Sequence, residues 1–157
     1  MTSVPVVVQA IRRATVDAVE AARLGDLTAF ETAVGDLAAQ NQEQVGRVLG
    51  GILRMQLEET HQDGLTGEDV QAVLTRCVRT NVSWLPDLDV QALALLLTGA
   101  LGVHPEAGEV PPPDRTTAAR HAPLLVADLL TVTGRPVGDY LDAALTEIAT
   151  TEGMELP

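Results

Sequence analysis

The apolar residues between Leu27 and Met55 recur at steps of three and four, which is the spacing of one face of an α-helix. Asn41 occupies the same face in the middle of the run. Unbroken, the pattern makes a helix of about 34 residues, roughly 50 Å long. Because the spacing keeps its phase across Asn41, we predict one long, kinked helix over residues 27–60. The polar stretch at residues 39–44 leaves a break as the alternative. The apolar members of this stripe are Leu27, Phe30, Val34, Leu37, Val45, Val48, Ile52 and Met55.

The same helix carries three glycines, Gly46, Gly50 and Gly51. Each glycine costs a helix roughly 1 kcal/mol relative to alanine, so we expect a compensating interaction. Gly46 and Gly50 lie four residues apart on one side of the helix, where another backbone can pack unusually close. This spacing predicts a tight helix pair, either within one chain or between two. The residues predicted to form the interface are Val45, Gly46, Val48, Leu49, Gly50 and Ile52.

The core must be built from aliphatic side chains, because Phe30, Trp84 and Tyr140 are the only aromatic residues in a chain that is 46% hydrophobic. Strands favour aromatic and β-branched residues, so this composition fits packed helices better than a sheet. A chain of 157 residues is long enough for one domain with a substantial core. We therefore predict an all-α fold, a bundle of about six to seven helices.

The charge of the chain limits its partners. All ten basic residues are arginines, and the formal net charge is −12. Lysine-dependent chemistry, such as Schiff-base formation, is excluded. Nucleic-acid binding is disfavoured because it depends on neutralisation of phosphates by Lys and Arg, and anionic membrane surfaces are disfavoured for the same reason. The abundance of alanine, glycine, proline and arginine, which have GC-rich codons, indicates a bacterium with a GC-rich genome.

No segment reads as a membrane span or an export signal. The most apolar window, from Val90 to Val103, is shorter than the roughly 20 residues that cross a bilayer. The short apolar run at residues 6–8 is followed by Arg12 and Arg13, the wrong order for a secretory signal. We predict a cytoplasmic protein without membrane association.

Several residues predict where helices begin and end. Ser3 is a candidate cap for the first helix, with Pro5 in its opening turn. Gly25 is predicted to end that helix and Asp26 to cap the next.

Two further caps follow in the middle of the chain. Thr66 with Asp69 three residues later has the pattern of a capping box. Asp87 is predicted to cap a helix over residues 88–101, whose sequence is apolar on every side. A helix that is apolar all round is buried, so we place it at the centre of the fold.

The prolines divide a single predicted domain into three parts. Residues 1–102 form the main bundle, and residues 103–113 form a proline-rich connector. Residues 114–157 form a helical hairpin that docks on this bundle or on a partner chain. Pro123 is predicted to start the main helix of that hairpin, over residues 124–133, because proline lacks the N–H that a helix interior needs.

Three residues are candidates for chemistry. Glu58 and His61 have the Glu-x-x-His spacing of a metal-binding helix, but only one copy occurs and the segment reads as a solvated helix end. Cys77 lies on an apolar stripe and is predicted to be a buried structural thiol. We predict no metal site, no cofactor and no catalytic residues.

Arginines offer a second kind of site. Arg47 and Arg54 share one helix face, and Arg76 and Arg79 share another. With Trp84 as a wall, these guanidinium groups are candidates to hold an anionic small molecule. The simpler interpretation is that each arginine pairs with one of the abundant carboxylates.

The sequence thus favours a non-enzymatic protein–protein interaction or scaffold module that acts as a homodimer. Its predicted interface includes the face of Gly46 and Gly50, and its carboxy-terminal hairpin is a candidate for exchange between the two chains. The alternative is a helical bundle that binds a small molecule as a sensor or carrier. An enzyme of unknown class ranks third.

Overall fold

A computed structural model describes residues 6–102 and 113–151, and its regular secondary structure in these ranges is entirely α-helical. No strand occurs in either range, so the predicted all-α bundle is confirmed. The seven helices are α1 (Val6–Leu24), α2 (Leu27–Ala38), α3 (Gln42–Thr60), α4 (Gly67–Asn81), α5 (Val90–Ala100), α6 (Arg115–Thr133) and α7 (Val137–Thr151).

The central helix is α6, which packs against α1, α2, α3, α4 and α5. Every residue from His121 to Leu130 is buried, so this helix is enclosed on all sides in its second half. The last helix, α7, lies against α3 and α1. Both helices of the predicted carboxy-terminal hairpin therefore pack on α1–α5 of the same chain.

The prediction of one long helix over residues 27–60 was wrong, because α2 ends at Ala38 and α3 begins at Gln42. Polar side chains at this junction form hydrogen bonds with the unpaired backbone groups at the end of α2 and the start of α3. The side chain of Asn41 caps α3 by accepting a hydrogen bond from the backbone N–H of Gln44. The side-chain amide of Gln42 donates to the last carbonyls of α2, those of Leu37 and Ala38 among them. Capping of the two helix ends therefore favours a break, even though the spacing of the apolar residues continues in phase across it.

The prediction for the apolar fifth helix was wrong in two respects. Its cap is Asp89, whose side chain accepts from the backbone N–H of Ala92, and not Asp87. Asp87 instead pairs with Arg120 of α6 at 3.0 Å. The helix is also not central, since Val90 is 49% exposed. Its buried side chains are Ala92, Leu93 and Leu97.

A further correction concerns Pro123, which lies inside α6 and does not start a helix. Asp114 caps the whole of α6 through the backbone N–H of Thr117, and the helix runs on through the proline. Burial of the following turns compensates for the hydrogen bond that proline cannot donate. At the other end, Gly134 ends α6 in the left-handed conformation with φ of 70°.

Two predicted boundaries are confirmed. Gly25 ends α1 with φ of 66°, and Asp26 caps α2. Thr66 and Asp69 form a reciprocal capping box at the start of α4. The predictions for Ser3, Pro5 and the connector up to residue 112 lie outside the described residues.

Candidate interaction groove

Gly46 and Gly50 lie on the outward face of α3, with Gly46 exposed and Gly50 partly exposed. A Cβ atom added at either position would meet no atom within 4 Å. The close helix pair that the glycine spacing predicts is therefore not made at these glycines by the described part of the chain. A nearer approach occurs one residue further on, where a Cβ on Gly51 would lie 3.7 Å from the Cβ of Ala144 of α7.

The outward face of α3 is the floor of an open depression of about 310 Å³, with α5 on one side and α7 on the other. We call this depression the α3 groove. It is defined by Gly46 and Gly50 on the floor, Gly99 and Ala100 on the α5 wall, and Ala144 and Ile148 on the α7 wall. All six side chains are small or apolar, so the groove admits another backbone at short distance.

The groove continues into a second depression of about 490 Å³ between α3, α5 and the start of α6. The two depressions share Gly46, Gly50, Gly99 and Ala100. Leucines of α3 and α5 and alanines of α6 line the second depression, and Arg115 stands among them. The glycine face of α3 therefore borders a long, mainly apolar surface feature.

The six predicted interface residues divide between the interior and this surface. Val45, Val48, Leu49 and Ile52 are at most 3% exposed and belong to the chain's own core. Gly46 and Gly50 alone of the six reach the surface of the described fold. Sequence periodicity assigned the apolar stripe and the glycines to one interface, whereas the structure places them on adjoining faces of α3.

Charged residues of the α3 groove are mostly basic. Arg47 pairs with Glu43 at 2.8 Å, one turn away on the same helix. Arg54 reaches both carboxylate oxygens of Glu147 on α7, at 2.7 and 2.8 Å. Its Nε atom also lies 3.9 Å from Glu58. These ion pairs are exposed, so each contributes little to stability.

The five predicted ligand-binding residues do not converge on one site. Arg47 and Arg54 line the α3 groove, whereas Arg76 and Arg79 line a shallow surface of α4. Trp84 lies at neither place. Its ring meets that of Phe30 edge-on with centroids 5.1 Å apart, and its Nε1 donates to Asn81 at 3.0 Å. The structure thus gives Trp84 a packing role between α2 and the end of α4.

Cys77 is fully buried, as its apolar position predicts. Burial, together with the nearby carboxylate of Asp128, raises the pKa of its thiol to about 12. The thiol is therefore not a nucleophile in the folded protein.

No further metal-binding side chain of the described residues is placed with Glu58 and His61 to complete a metal site. Glu58 faces Arg54, and His61 contacts the hydroxyl of Thr60 at 2.8 Å. Within residues 6–102 and 113–151, no group of three or more His, Cys, Asp or Glu side chains is placed to hold a metal ion.

Sequence reasoning missed a polar cluster that joins the end of α3 to α7. The hydroxyl of Tyr140 donates to Glu59 at 2.8 Å, and Arg135 lies 3.2 Å from the same carboxylate. The hydrogen bond from Tyr140, helped by Arg135, holds the pKa of Glu59 below its ordinary value. Burial raises the pKa of Tyr140. A lone tyrosine on an apolar stripe gave no signal of this partner.

It also missed His121, which is buried on α6. Its Nε2 accepts from the backbone N–H of Asp89 at 2.9 Å, and its Nδ1 lies 2.8 Å from the carbonyl of Thr117. With Nδ1 protonated and Nε2 free, the neutral ring satisfies both partners. His121 therefore anchors the start of α5 to α6.

Comparison with known proteins adds no functional information. The chain matches no protein-family model, and neither a curated protein nor a solved structure is significantly similar to it. The class of protein is thus defined by the fold alone, as a seven-helix bundle over the described residues. None of these helices is long and apolar enough to cross a membrane.

Proposed function

We propose that this protein is a non-enzymatic interaction module that acts as a homodimer, with the α3 groove as the dimer interface. The observation that supports this proposal is the open space above Gly46 and Gly50. Two helix-destabilising glycines stand at the surface of α3, where no backbone of the described chain fills the space that they leave. A second copy of the chain fills it in the dimer.

Charge supports a second copy as the occupant. Each chain carries a net charge of −12, so two copies repel one another over most of their surface. The groove is an exception, because the charged residues that line its two depressions are Arg47, Arg54, Arg115 and Glu147. Counting Glu43 and Glu58, which pair with two of these arginines, the face carries as many acidic as basic groups. Two copies approach there without the general repulsion.

The test is the mass of the protein in solution, measured by light scattering after size exclusion over a range of concentrations. We expect a dimer for the unmodified chain and a monomer for Gly46→Leu and Gly50→Leu. A Cβ at either position meets no atom within 4 Å, so we expect the variant monomer to keep its fold. Helix propensity makes it more stable by up to about 1 kcal/mol.

Gly35→Leu is the matched control. Gly35 is also exposed in mid-helix, on α2, and a Cβ there also meets nothing within 4 Å. We expect this variant to remain a dimer. A protein that is monomeric at all concentrations, or dimers that persist in both groove variants, would contradict the proposal.

The second candidate function is small-molecule binding in the depression between α3, α5 and α6. Its volume of about 490 Å³ lies within the range of ligand sites, and its lining is mainly apolar with Arg115 as a cationic group. Native mass spectrometry separates the two candidates. A retained nonpeptide mass that disappears in Ala118→Trp favours a carrier, whereas a dimer without added mass favours the interaction module.

A further inference from the structure

The second depression, between α3, α5 and the start of α6, is lined almost entirely by aliphatic groups. Among its described lining residues only Gln42 and Arg115 have polar side chains, and none is aromatic. The Nε2 atom of Gln42 already donates to the last carbonyls of α2. Arg115 is therefore the one charged group that a ligand meets among these lining residues.

The guanidinium of Arg115 is free to bind an anion. Seven of the ten arginines form ion pairs with carboxylates of the described residues, but Arg115 forms neither an ion pair nor a side-chain hydrogen bond with any of them. The adjacent Asp114 is engaged in capping α6, where it accepts from the backbone N–H of Thr117 at 2.7 Å. An arginine with all its donors available is suited to bidentate binding of a carboxylate.

The helices that line the depression run in the same direction. The side chain of Gln56 on α3 donates to the carbonyl of Val126 on α6 at 3.2 Å, which places these two residues at about the same level. Lining residues 42–53 of α3 and 115–122 of α6 both precede this contact along their helices. Residues equally far before the contact therefore lie side by side.

This register places the charge at one end of an elongated depression. Arg115 stands eleven residues before the contact, level with Val45, whereas Ala122 is level with residue 52, beside Leu53. Arg115 is exposed, and Leu53 and Ala122 are at most 3% exposed. From residue 42 to residue 53 the depression follows α3 for about 16 Å. It thus leads from a cationic mouth to a buried aliphatic end.

We infer that the second depression binds one free medium-chain fatty acid, with its carboxylate on Arg115 and its alkyl chain along α3 toward Leu53 and Ala122. This inference rests on the second candidate function, and it names the class of ligand. The lining favours a linear alkyl chain, because it offers aliphatic contacts and no ring for stacking.

The size of the depression sets the length of the chain. A methylene group is close in size to a water molecule, whose share of the liquid is about 30 Å³. A volume of about 490 Å³ therefore has room for about 16 such groups. Because the depression is open on one side, a fatty acid of about 10–12 carbons fills it. A membrane lipid, with two longer chains, does not fit.

Isothermal titration calorimetry with sodium octanoate, decanoate, dodecanoate and tetradecanoate, each below its micelle concentration, tests the chain length. We expect one site per chain and an affinity that rises roughly two- to fourfold per methylene up to dodecanoate. Tetradecanoate gains less than about twofold over dodecanoate, because its extra methylenes remain in water. Non-specific adsorption has no such limit, so a continued rise would contradict a site of this size.

A second titration separates the charge from the cavity by comparing decanoate with decan-1-ol, which has the same chain and a neutral head. We expect Arg115→Glu to weaken decanoate at least tenfold and to change decan-1-ol by less than about twofold. The variant keeps its fold, because position 115 is exposed and an acidic residue is favoured in the first turn of a helix.

Two further variants are the controls. Arg79→Glu makes the same change of charge at another exposed arginine, which lines the shallow surface of α4, and we expect it to leave both affinities within about twofold. Ala118→Trp places a large side chain in the depression, so it weakens decanoate and decan-1-ol alike.

The outcomes separate this inference from the functions proposed above. Decanoate binding that is insensitive to Arg115→Glu, or absent, overturns the inference. If native mass spectrometry then shows a retained molecule of another class that is lost in Ala118→Trp, the second candidate function stands without it. If no small molecule of any class binds, both are overturned. Light scattering of the same samples decides the homodimer independently.

Discussion

Arg76 on α4 holds the carboxylate of Asp128 on α6 through a bidentate contact. Its Nε atom lies 3.0 Å from both carboxylate oxygens, and its Nη2 atom lies 2.7 Å from Oδ2. The side chain of Asp128 is only 3% exposed, whereas that of Arg76 is 41% exposed. The pair therefore attaches an outer helix to the central one through a carboxylate that has little access to water.

We expect Arg76→Ala to lower the free energy of unfolding by about 2 kcal/mol. The variant leaves a buried carboxylate without its partner, and the cost falls below that of a fully buried pair because Arg76 is partly exposed. Arg79→Ala is the control, since Arg79 is exposed and makes no ion pair with any described residue. Urea denaturation measures both, and equal stability of the two variants would show that the pair does not hold α4 in place.

A second prediction concerns the turn between α1 and α2. Gly25 has φ of 66°, and a Cβ there would lie 3.5 Å from the Trp84 ring. We expect Gly25→Ala to cost about 1–2 kcal/mol, because alanine resists the left-handed conformation. Gly35→Ala, in the open middle of α2, should instead stabilise the protein by up to about 1 kcal/mol. Thermal unfolding of the two variants should therefore move in opposite directions.

The third prediction is that Cys77 does not react with a thiol reagent in the folded protein at about pH 8. Burial, assisted by Asp128, raises its pKa to about 12 and also keeps the reagent out. Ser83→Cys, at an exposed position after α4, provides a reactive thiol in the same fold. A thiol assay with and without denaturant measures both, and rapid modification of Cys77 without denaturant would contradict its burial.

Local signals in the sequence predicted the fold class and several helix ends. Gly25, Asp26 and the capping box of Thr66 and Asp69 were predicted correctly because each acts through its own backbone within a few residues. The break at Asn41 was missed because an apolar pattern can stay in phase across two helices. The spacing of apolar residues indicates which side of a segment is buried. It does not indicate whether the segment forms one continuous helix.

Long-range relationships could not be predicted in the same way. The apolar helix α5 reads as the most buried segment, yet α6 occupies the centre, because five helices happen to converge on it. Pro123 of α6 was predicted to start a helix, whereas the helix continues through the proline because the surrounding residues are packed in the core. For the candidate site, the glycine spacing correctly marked an unusual face of α3, but the contributions of Gly99, Ala100 and Ile148 depend on tertiary packing.

The last prediction concerns acid stability and the contact between α3 and α7. The hydrogen bond from Tyr140, with Arg135 nearby, holds the pKa of Glu59 below its ordinary value of 4.5. The unfolded chain therefore binds more protons at this residue than the folded chain in the window below about pH 4.5. The stabilisation is present above that pH and is lost as the pH falls through the pKa of the folded state.

Glu59→Gln removes this titration, so we expect the melting temperature to fall less between about pH 6 and pH 3.5 than in the unmodified chain. Some acid destabilisation persists, because Asp69, Asp87 and Asp114 also have lowered pKa values through their own hydrogen bonds. Tyr140→Phe removes the largest cause of the lowered pKa of Glu59 and keeps the carboxylate. We therefore expect its pH dependence to lie between that of the unmodified chain and that of Glu59→Gln. An unchanged dependence in Glu59→Gln would mean that this carboxylate is not coupled to folding. The intermediate response of Tyr140→Phe separates the effect of the hydrogen bond from that of Arg135, which both variants retain.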